Sequence, residues 1–246
     1  MYQIHPCFDT PADNTMIWRY MNFTKFVSLL ETKKLYLSRS DKFEDPFEGS
    51  WPKLNVEHRL DGLPLPQEQI MKINKLLSSS SQKMLEHIYI NCWHMNTCES
   101  DAMWRIYVHG NEGVAIQTTI NQLKESITDK TDVYIGRVKY IDYKHDFIPI
   151  YNQSNIFDPF LYKRNSFSHE NEVRVVALGN IERLANGEGE ELLGVNIDIE
   201  PSVLIQNIYV APFAASWFHN LVQSILVKYG YNIGVNQSEI LGKPMY

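Results

Sequence analysis

Two glutamates at the entry to a β-like run are the side chains best placed to do chemistry. They occur in the stretch Glu170-Asn171-Glu172-Val173-Arg174. Side chains alternate along a strand, so Glu170, Glu172 and Arg174 are expected on one face and Val173 on the other. Two carboxylates beside a guanidinium form either a structural ion network or a site in which neighbours tune an acid. Edge strands also carry such charges to discourage sheet pairing, and both interpretations stay open.

A second acidic group lies in the loop 43–49, whose sequence is FEDPFEG. Asp45 precedes Pro46, which favours an extended backbone, and its carboxylate can accept hydrogen bonds from amides of the turn. Phe43 and Phe47 can anchor the loop on a core. The acids therefore either cap an ordinary turn or bind a cation or a ribose hydroxyl, and both alternatives stay open.

Arg19 lies between Trp18 and Tyr20 and is a candidate phosphate ligand. A guanidinium can hold a phosphate through two parallel hydrogen bonds, which an ammonium does less well. Alternation places Arg19 on the face opposite its two aromatic neighbours. There it is either such a ligand or an ordinary exposed strand residue.

Several common reaction classes lack their signatures. The chain has no GxSxG, Walker or GxGxxG sequence, which argues against an α/β-hydrolase, a P-loop enzyme and a dinucleotide-binding oxidoreductase. The scattered histidines show no HExxH or paired metal spacing, so zinc hydrolysis is disfavoured. Cys7, Cys92 and Cys98 cannot all pair within the chain, and reduced thiols in a cytoplasm are expected.

Composition limits the partners of the protein. The net charge of -6 argues against a surface that coats duplex nucleic acid, because phosphate binding needs a basic face. No basic start followed by an apolar run is present, and no segment approaches about 18 apolar residues, so neither export nor a membrane span is expected. The length of 246 residues fits a single domain, with an extension at 1–15, a core at 16–180 and C-terminal strands and a helix at 181–246.

Hydrophobic periodicity predicts the elements that must position these residues. Strands are expected at 16–22, 35–38, 88–95, 113–119, 132–143, 170–178, 192–199, 208–211 and 231–235. Helices are expected at 23–34, 68–80, 82–87, 102–109, 120–127, 157–164 and 216–229, with a serine run breaking the second from the third and an exposed loop at 186–191. The mixed order with few βαβ repeats favours an α+β fold with a mainly antiparallel sheet and surrounding helices.

Five motifs in this order resemble the bacterial family catalogued as domain of unknown function 2971. They are Trp18-Arg19-Tyr20, Leu35-Tyr36-Leu37-Ser38, Phe43-Glu44-Asp45-Pro46-Phe47-Glu48, Met103-Trp104-Arg105-Ile106-Tyr107 with Gly113-Val114-Ala115-Ile116, and Glu170-Asn171-Glu172-Val173-Arg174. The resemblance covers residues 16–180. It implies kinship, and the family brings no settled activity.

The layout is also similar to the ADP-ribosyltransferases, in which a first strand offers Arg or His, a second Ser or Tyr, and a late strand begins with Glu. Arg19, Ser38 and Glu172 take those places, although Ser38-Arg39-Ser40 replaces the Ser-Thr-Ser form. This second resemblance implies a split sheet and NAD as a substrate. Glu172 would stabilise the oxocarbenium-like charge, and Glu170 would orient or deprotonate the acceptor. The expected cofactor-binding residues are Arg19 for the pyrophosphate, Ser38, the candidate stacking residues Tyr20, Tyr36 and Phe43, and Asp45 and Arg174.

The leading hypothesis is therefore an NAD-consuming ADP-ribosyltransferase-like enzyme, a toxin or defence effector, with a macromolecular acceptor that the sequence does not identify. The first alternative is a metal-dependent nuclease with Asp45, Glu170 and Glu172 as oxygen ligands for Mg²⁺. The second is a non-enzymatic ligand-sensing or partner-binding module that uses the acidic and aromatic loop as its recognition surface.

Overall fold

The computed structural model describes residues 1–149, 155–179, 192–242 and 244. Its strands are β1 Met16–Asn22, β2 Lys34–Arg39, β3 Ile88–Met95, β4 Gly113–Thr119, β5 Val133–Arg137, β6 Lys139–Ile141, β7 Tyr162–Arg164, β8 Glu172–Leu178, β9 Gly194–Asp198, β10 Asn207–Val210 and β11 Val235–Gln237. Its α-helices are α1 Phe23–Thr32, α2 Lys53–His58, α3 Gln67–Met84, α4 Asp101–Tyr107, α5 Ile120–Ser126, α6 Pro201–Leu204 and α7 Ser216–Lys228. Short 3-10 helices cover Ser40–Lys42, Asp158–Leu161 and Asn165–Glu170.

Nine of these strands form one mixed sheet. Its order is β11-β10-β4-β1-β3-β2-β9, and β8 joins it by pairing with both β3 and β5. Every pairing in this sheet is antiparallel except that of β10 with β11. Strands β6 and β7 form a separate parallel pair. The expected α+β fold with a mainly antiparallel sheet and surrounding helices is confirmed.

The sheet is split along one edge of β3. On one side, β3 pairs with β8 from Ile88 to His94. On the other side, β2 pairs only with Tyr89 and Ile90, and β1 pairs only with His94 and Met95. Residues 91–93 therefore face a gap between β1 and β2, because the connecting helix α1 leads the chain away from β1 before β2 begins.

The two faces of the sheet are packed differently. One face carries the main core, in which apolar residues of the strands pack against α1, α5 and α7. The other face carries two smaller apolar clusters, one around Phe160 and Val176 and one around Trp18 and Trp104. The side chains of His94, Glu172 and Arg174 lie on this second face. Trp93 of β3 and Val173 and Val175 of β8 lie in the main core on the opposite face.

Several expected elements differ from the structure for local reasons. The serine run does not break the helix, since α3 continues from Gln67 to Met84. Ser81 donates a hydrogen bond to the carbonyl of Leu77, which lets a serine remain in a helical turn. The long strand at 132–143 divides into β5 and β6 because the partner changes from β8 to β7 after Arg137.

The segment 157–164 was expected to be helical and is instead a 3-10 turn followed by β7. The turn begins at Asp158 with Pro159 as its second residue, and Tyr162–Arg164 then pairs with β6. The strand expected from Glu170 begins only at Glu172, because Glu170 ends a 3-10 helix and Asn171 has a left-handed backbone. The last strand begins at Val235 rather than at 231. The loop expected at 186–191 lies outside the described residues.

Within the part of the chain that the structure describes, no helix combines the length and the apolar content needed to cross a bilayer.

Gly49 tests how tightly the acidic loop packs. Its φ is +63°, and an added Cβ would lie 2.3 Å from Phe160 and 2.6 Å from Leu85. We expect Gly49→Ala to lower the free energy of unfolding by about 2–5 kcal/mol, from left-handed strain and overpacking. Gly62→Ala is the matched control, because Gly62 has a φ of +79° with nothing within 4 Å. Equal losses for the two variants in urea unfolding would contradict tight packing at Gly49.

Candidate active site

Arg174 is the central cation of the polar face. Its guanidinium holds both oxygens of Glu48, at 2.5 and 2.8 Å, and its Nε donates to Glu172 at 2.8 Å. A further hydrogen bond of 2.6 Å goes to the carbonyl of Phe160. Burial alone would lower the pKa of Arg174, but the two carboxylates raise it well above its ordinary value. With no exposed surface, Arg174 joins the acidic loop to β8 and fixes the carboxylate of Glu172.

Glu172 is ionised although it is buried. Burial alone would raise its pKa, but Arg174 and then Lys163 outweigh this effect and lower the pKa to about 2. The ammonium of Lys163 lies 3.4 Å from one oxygen of Glu172. The side chain of Cys92, across the ladder on β3, also bonds to the carboxylate. Glu172 is therefore a fixed negative charge on the floor of this face.

Glu170 lies near Glu172 although it is not part of β8, so strand alternation does not explain their proximity. Asn171 has a φ of +38°, which turns Glu170 off the strand. The carboxylate of Glu170 nevertheless binds Lys163 at 2.5 Å, so this lysine bridges the two glutamates. Burial raises the pKa of Glu170 more than the ion pair with Lys163 lowers it. The two acids thus have pKa values displaced in opposite directions.

Lys163 is the residue that the sequence did not point to. It lies on β7, in the segment expected to be helical, seven residues before Glu170. Its side chain is buried against the ring of Phe167, with the ammonium 4.7 Å from the ring centroid. Glu48 was also missed as a site residue, although it belongs to the acidic loop. Long-range pairing determines both positions, and local sequence carries no signal for it.

Two tyrosines border the pair of glutamates. The hydroxyl of Tyr140 accepts a hydrogen bond of 2.9 Å from the backbone amide of Glu172. Tyr107 ends α4 and is 44% exposed. Burial of its hydroxyl, and then the charges of Glu170 and Glu172, raise the pKa of Tyr107. The charges of Glu170 and Glu172 therefore act on the hydroxyl of Tyr107.

Arg19 lies at the gap in the sheet. Its guanidinium donates a long hydrogen bond, 3.4 Å, to the carbonyl of Cys92 and lies 5.8 Å from the centroid of the Trp93 ring. Burial lowers the pKa of Arg19 to about 10, while Cys92 and Tyr107 partly offset that effect. No carboxylate of the described residues forms a salt bridge with it. A desolvated guanidinium without a counter-ion is costly, and an anionic ligand would remove that cost.

His94 is opposite Glu172 in the β3–β8 ladder and is buried. Its Nδ1 lies 2.6 Å from the carbonyl of Glu170, so Nδ1 must carry the proton. Burial, more than any other effect, lowers the pKa of His94. The ring is therefore neutral near pH 7, and Nε2, which has no partner among the described residues, is a hydrogen-bond acceptor.

The predicted stacking residues are not grouped. Tyr20 is buried beside Trp18 and Trp104, and its hydroxyl accepts a hydrogen bond from the amide of Ser100. Tyr20 therefore supports the start of α4 in this conformation. Tyr36 is 47% exposed on β2. Phe43 packs against the cluster around Phe160, and Arg174 lies 6.0 Å from the centroid of its ring.

Ser38 and Asp45 both have hydrogen-bond partners within the protein. Ser38 lies on β2, on the same strand face as Tyr36, and its hydroxyl makes one long bond to the carbonyl of Arg39. Asp45 accepts hydrogen bonds from the amide of Phe47 at 3.0 Å and from Arg164 at 2.7 Å. Arg164–Asp45 and Arg174–Glu48 are thus two ion pairs that fasten the loop 43–49 to the chain around β7 and β8.

The arrangement of the acids does not match the nuclease alternative. Asp45 is paired with Arg164, whereas Glu170 and Glu172 share Lys163. Across residues 1–149, 155–179 and 192–242, no three His, Cys, Asp or Glu side chains are grouped so as to hold a metal ion. The carboxylates are instead neutralised by protein cations.

A cavity of about 390 Å³ is lined by residues of the acidic loop, α2 and α3. Gly49, Trp51, Arg59 and Met84 are among its lining residues. The catalytic candidates Glu170 and Glu172 do not line it. The cavity therefore belongs to the helical layer and is separate from the candidate active site.

Comparisons with known proteins agree with this layout to a limited extent. Residues 103–175 match the family described as a protein of unknown function, DUF2971. This confirms the resemblance for the motifs at Met103–Tyr107, Gly113–Ile116 and Glu170–Arg174, and the three earlier motifs lie outside the matched residues. No curated protein matches the chain.

Two solved structures of a Thermus sp. 2.9 protein resemble the fold over 94% of this chain and 98% of the other. They are DarT in complex with NAD⁺, at 10% identity, and DarT in complex with ADP-ribosylated single-stranded DNA, at 9% identity. Both superpose with a TM-score of 0.42. The site itself must therefore carry any functional argument.

Removing the central cation should destabilise the protein strongly. Arg174→Met leaves Glu48 and Glu172 buried without their main counter-ion, and we expect a loss of about 3–5 kcal/mol in the free energy of unfolding. Arg105→Met is the control, because its ion pair with Asp101 is exposed, and no measurable change is expected there. Similar urea midpoints for the two variants would contradict the central role of Arg174.

Acid should weaken the fold through Glu172. Its pKa is about 2 in the folded protein and 4.5 ordinarily, so its stabilising contribution is complete above pH 4.5 and is lost as the pH falls towards 2. The pKa values of Glu48 and Glu170 are raised, so their contributions have the opposite sign. We expect the stability difference between wild type and Glu172→Gln to shrink from pH 5 to pH 3 in urea unfolding. A constant difference would contradict the lowered pKa.

Proposed function

We propose that the protein is an NAD-consuming ADP-ribosyltransferase-like enzyme whose active site is the pair Glu170 and Glu172. The observation that carries this proposal is the bridge formed by Lys163, which binds both glutamates while their pKa values move apart. Paired acids with separated pKa values can divide the roles of fixed charge and proton acceptor. Group transfer from a glycosidic carbon needs both roles.

Glu172 would act as the fixed negative charge. When the bond between nicotinamide and C1′ of the ribose breaks, the electron pair leaves with the neutral nicotinamide and positive charge develops on the ribose. An ionised carboxylate held in place by Arg174 stabilises that charge without reorganising. The contacts of Arg174 Nη2 and Lys163 with Oε2 of Glu172 are long, 3.3 and 3.4 Å. That oxygen can still accept a hydrogen bond from the ribose 2′-hydroxyl.

Glu170 would serve the acceptor. Its raised pKa makes it a better proton acceptor than an ordinary carboxylate. As the nucleophile of the acceptor bonds to C1′, its proton would pass to Glu170. We expect the acceptor to be a macromolecule. We also expect the protein to act as a toxin or defence effector in the cytoplasm.

Arg19 would bind the pyrophosphate of NAD. It has no carboxylate partner among the described residues, and its neighbours Cys92 and Tyr107 also border the glutamates. Ser38 and Tyr36 would lie along the same cleft, and Tyr107 would have to move aside for the ligand to reach Glu172. Arg174, Tyr20 and Asp45 would act indirectly, by supporting the walls of the cleft.

Nicotinamide release tests the proposal directly. Purified protein with NAD and excess chelator should release nicotinamide, whereas Glu172→Gln should lower the rate by about 100-fold or more, since it removes the preorganised charge. Glu170→Gln should reduce transfer to an acceptor more than it reduces binding of NAD. Glu86→Gln is a surface control, which should behave as wild type.

Measuring NAD binding distinguishes two explanations for missing transfer activity, an unsuitable acceptor and an incorrect proposal. Calorimetry should detect NAD binding to the wild type and to Glu172→Gln, since this variant retains Arg19. A wild-type protein that neither binds NAD nor releases nicotinamide would show that the proposal is wrong.

A further inference from the structure

The cavity between the acidic loop, α2 and α3 plays no part in the proposed reaction. Its volume is about 390 Å³, which is within the range of about 300–1,000 Å³ that small-molecule sites have. A second cavity of about 310 Å³ lies against it, since the two share the lining residues Gly49, Trp51 and Arg59. Among the described residues that line the two cavities, neither Glu170 nor Glu172 is present. A ligand bound here would therefore occupy a site separate from that of the proposed reaction.

The wall that α3 contributes is one face of this helix. Leu77, Ser80, Ser81 and Met84 line the cavity, and their spacing of three and four residues puts them on the same side of the helix. The helix has 18 residues, and none of them is buried. Helices in proteins owe most of their stability to the packing of an apolar face. The protein itself therefore leaves this face of α3 uncovered, and a ligand in the cavity would cover it.

The cavity offers an apolar surface to such a ligand. Its apolar lining side chains are Trp51, Leu77, Met84, Ile156 and Pro159. Trp51 provides a flat aromatic surface, and Met84 has a flexible side chain that adapts to the shape of what it contacts. Removing this surface from water favours the binding of an apolar group.

Arg59 is the one charged side chain among the described residues that line the first cavity. Its Nε donates to Oδ1 of Asn74 at 2.5 Å, and its Nη2 donates to the carbonyl of Asn74 at 2.6 Å and to the hydroxyl of Ser78 at 2.8 Å. These bonds to α3 fix the guanidinium in place. Its Nη1 makes no hydrogen bond to any described residue, so this nitrogen is available to an acceptor on a ligand.

Two carboxylates near Arg59 have other partners. Glu48 lines the second cavity, but Arg174 holds both of its oxygens. Asp61 bonds to His58. In the part of the chain that the structure describes, no carboxylate forms a salt bridge with Arg59, and burial lowers the pKa of its guanidinium. An anionic ligand would supply the missing counter-charge through strong, charge-assisted hydrogen bonds.

We propose that this cavity binds a small organic anion with an apolar body, such as a medium-chain carboxylate. Its acid group would pair with the guanidinium of Arg59, and its apolar body would lie between Trp51 and α3. The bound molecule would also contact Gly49, the residue after Glu48, and so would support the loop that holds Arg174. The inference does not depend on the proposed reaction with NAD.

Octanoate and 1-octanol are matched probes, because both carry an apolar chain of similar length and only octanoate is charged at neutral pH. Calorimetry on the full-length protein should show one octanoate bound per chain, with a dissociation constant below about 1 mM. 1-Octanol should bind at least about tenfold more weakly, since hydrogen bonds between charged groups are stronger than those to a neutral hydroxyl.

Arg59→Met tests the charge. This variant keeps an unbranched apolar side chain and loses the guanidinium, so its affinity for octanoate should fall about tenfold or more. Its affinity for 1-octanol should stay within about twofold of the wild-type value. Arg105→Met is the control, because Arg105 is exposed on α4, and it should bind both probes as the wild type does.

Two adjacent leucines of α3 test the location. Leu77 lines the cavity, whereas Leu76 is 67% exposed and is not among the described lining residues. Leu77→Gln should lower the affinity for both probes about threefold or more, because it removes apolar surface from the wall. Leu76→Gln should leave both affinities within about twofold of the wild-type values.

A wild-type protein that does not bind octanoate saturably, or that binds octanoate and 1-octanol equally, would overturn the inference whether or not the variants fold. A folded Arg59→Met variant with wild-type affinity for octanoate would also overturn it, as would equal effects of the two leucine substitutions. NAD plays no part in these measurements, so their failure is separate from failure of the proposed function.

Discussion

The buried guanidinium of Arg174 is the charge on which the polar face depends. It holds Glu48 with two nitrogens and Glu172 with a third, so it connects the acidic loop to the strand that carries the candidate catalytic carboxylate. A buried arginine between two acids adds little to stability compared with apolar packing, yet removing one partner is severe. Its role is to keep Glu172 ionised and fixed in position. The second ion pair, Arg164 with Asp45, fastens the same loop to β7.

The division of the sheet into two faces explains how a polar cluster can remain buried. The main core lies on one face beneath three helices, which provides most of the apolar burial. The other face can then hold charges between two smaller apolar clusters. Low polarity around the cluster strengthens every interaction inside it, including the attraction of Lys163 for both glutamates. Stability and chemistry are thus assigned to opposite sides of the same strands.

Periodicity in the sequence was sufficient for the elements that bury one continuous face. Strands β1, β3 and β4 begin and end where alternation predicts, because each is flanked by a cap or a turn. The pattern was insufficient where the partner changes, as after Arg137, or where a left-handed residue interrupts a strand, as at Asn171. Glu172, Glu170 and Arg174 were recognisable as a charged group. The lysine between the acids was not, because only long-range pairing brings β7 beside β8.

Asn171 has a consequence for comparing related chains. An acid-any-acid motif is usually read as if its middle position were neutral, but here that residue decides where the first acid lies. Its φ of +38° suits asparagine, aspartate or glycine, and a β-branched residue would favour a continuous strand. Related chains with valine or isoleucine between the two glutamates should therefore keep the second carboxylate and lose the shared lysine bridge. The identity of one uncharged residue thus distinguishes chains in which the two glutamates share a lysine from chains that have the same two glutamates in sequence without that contact.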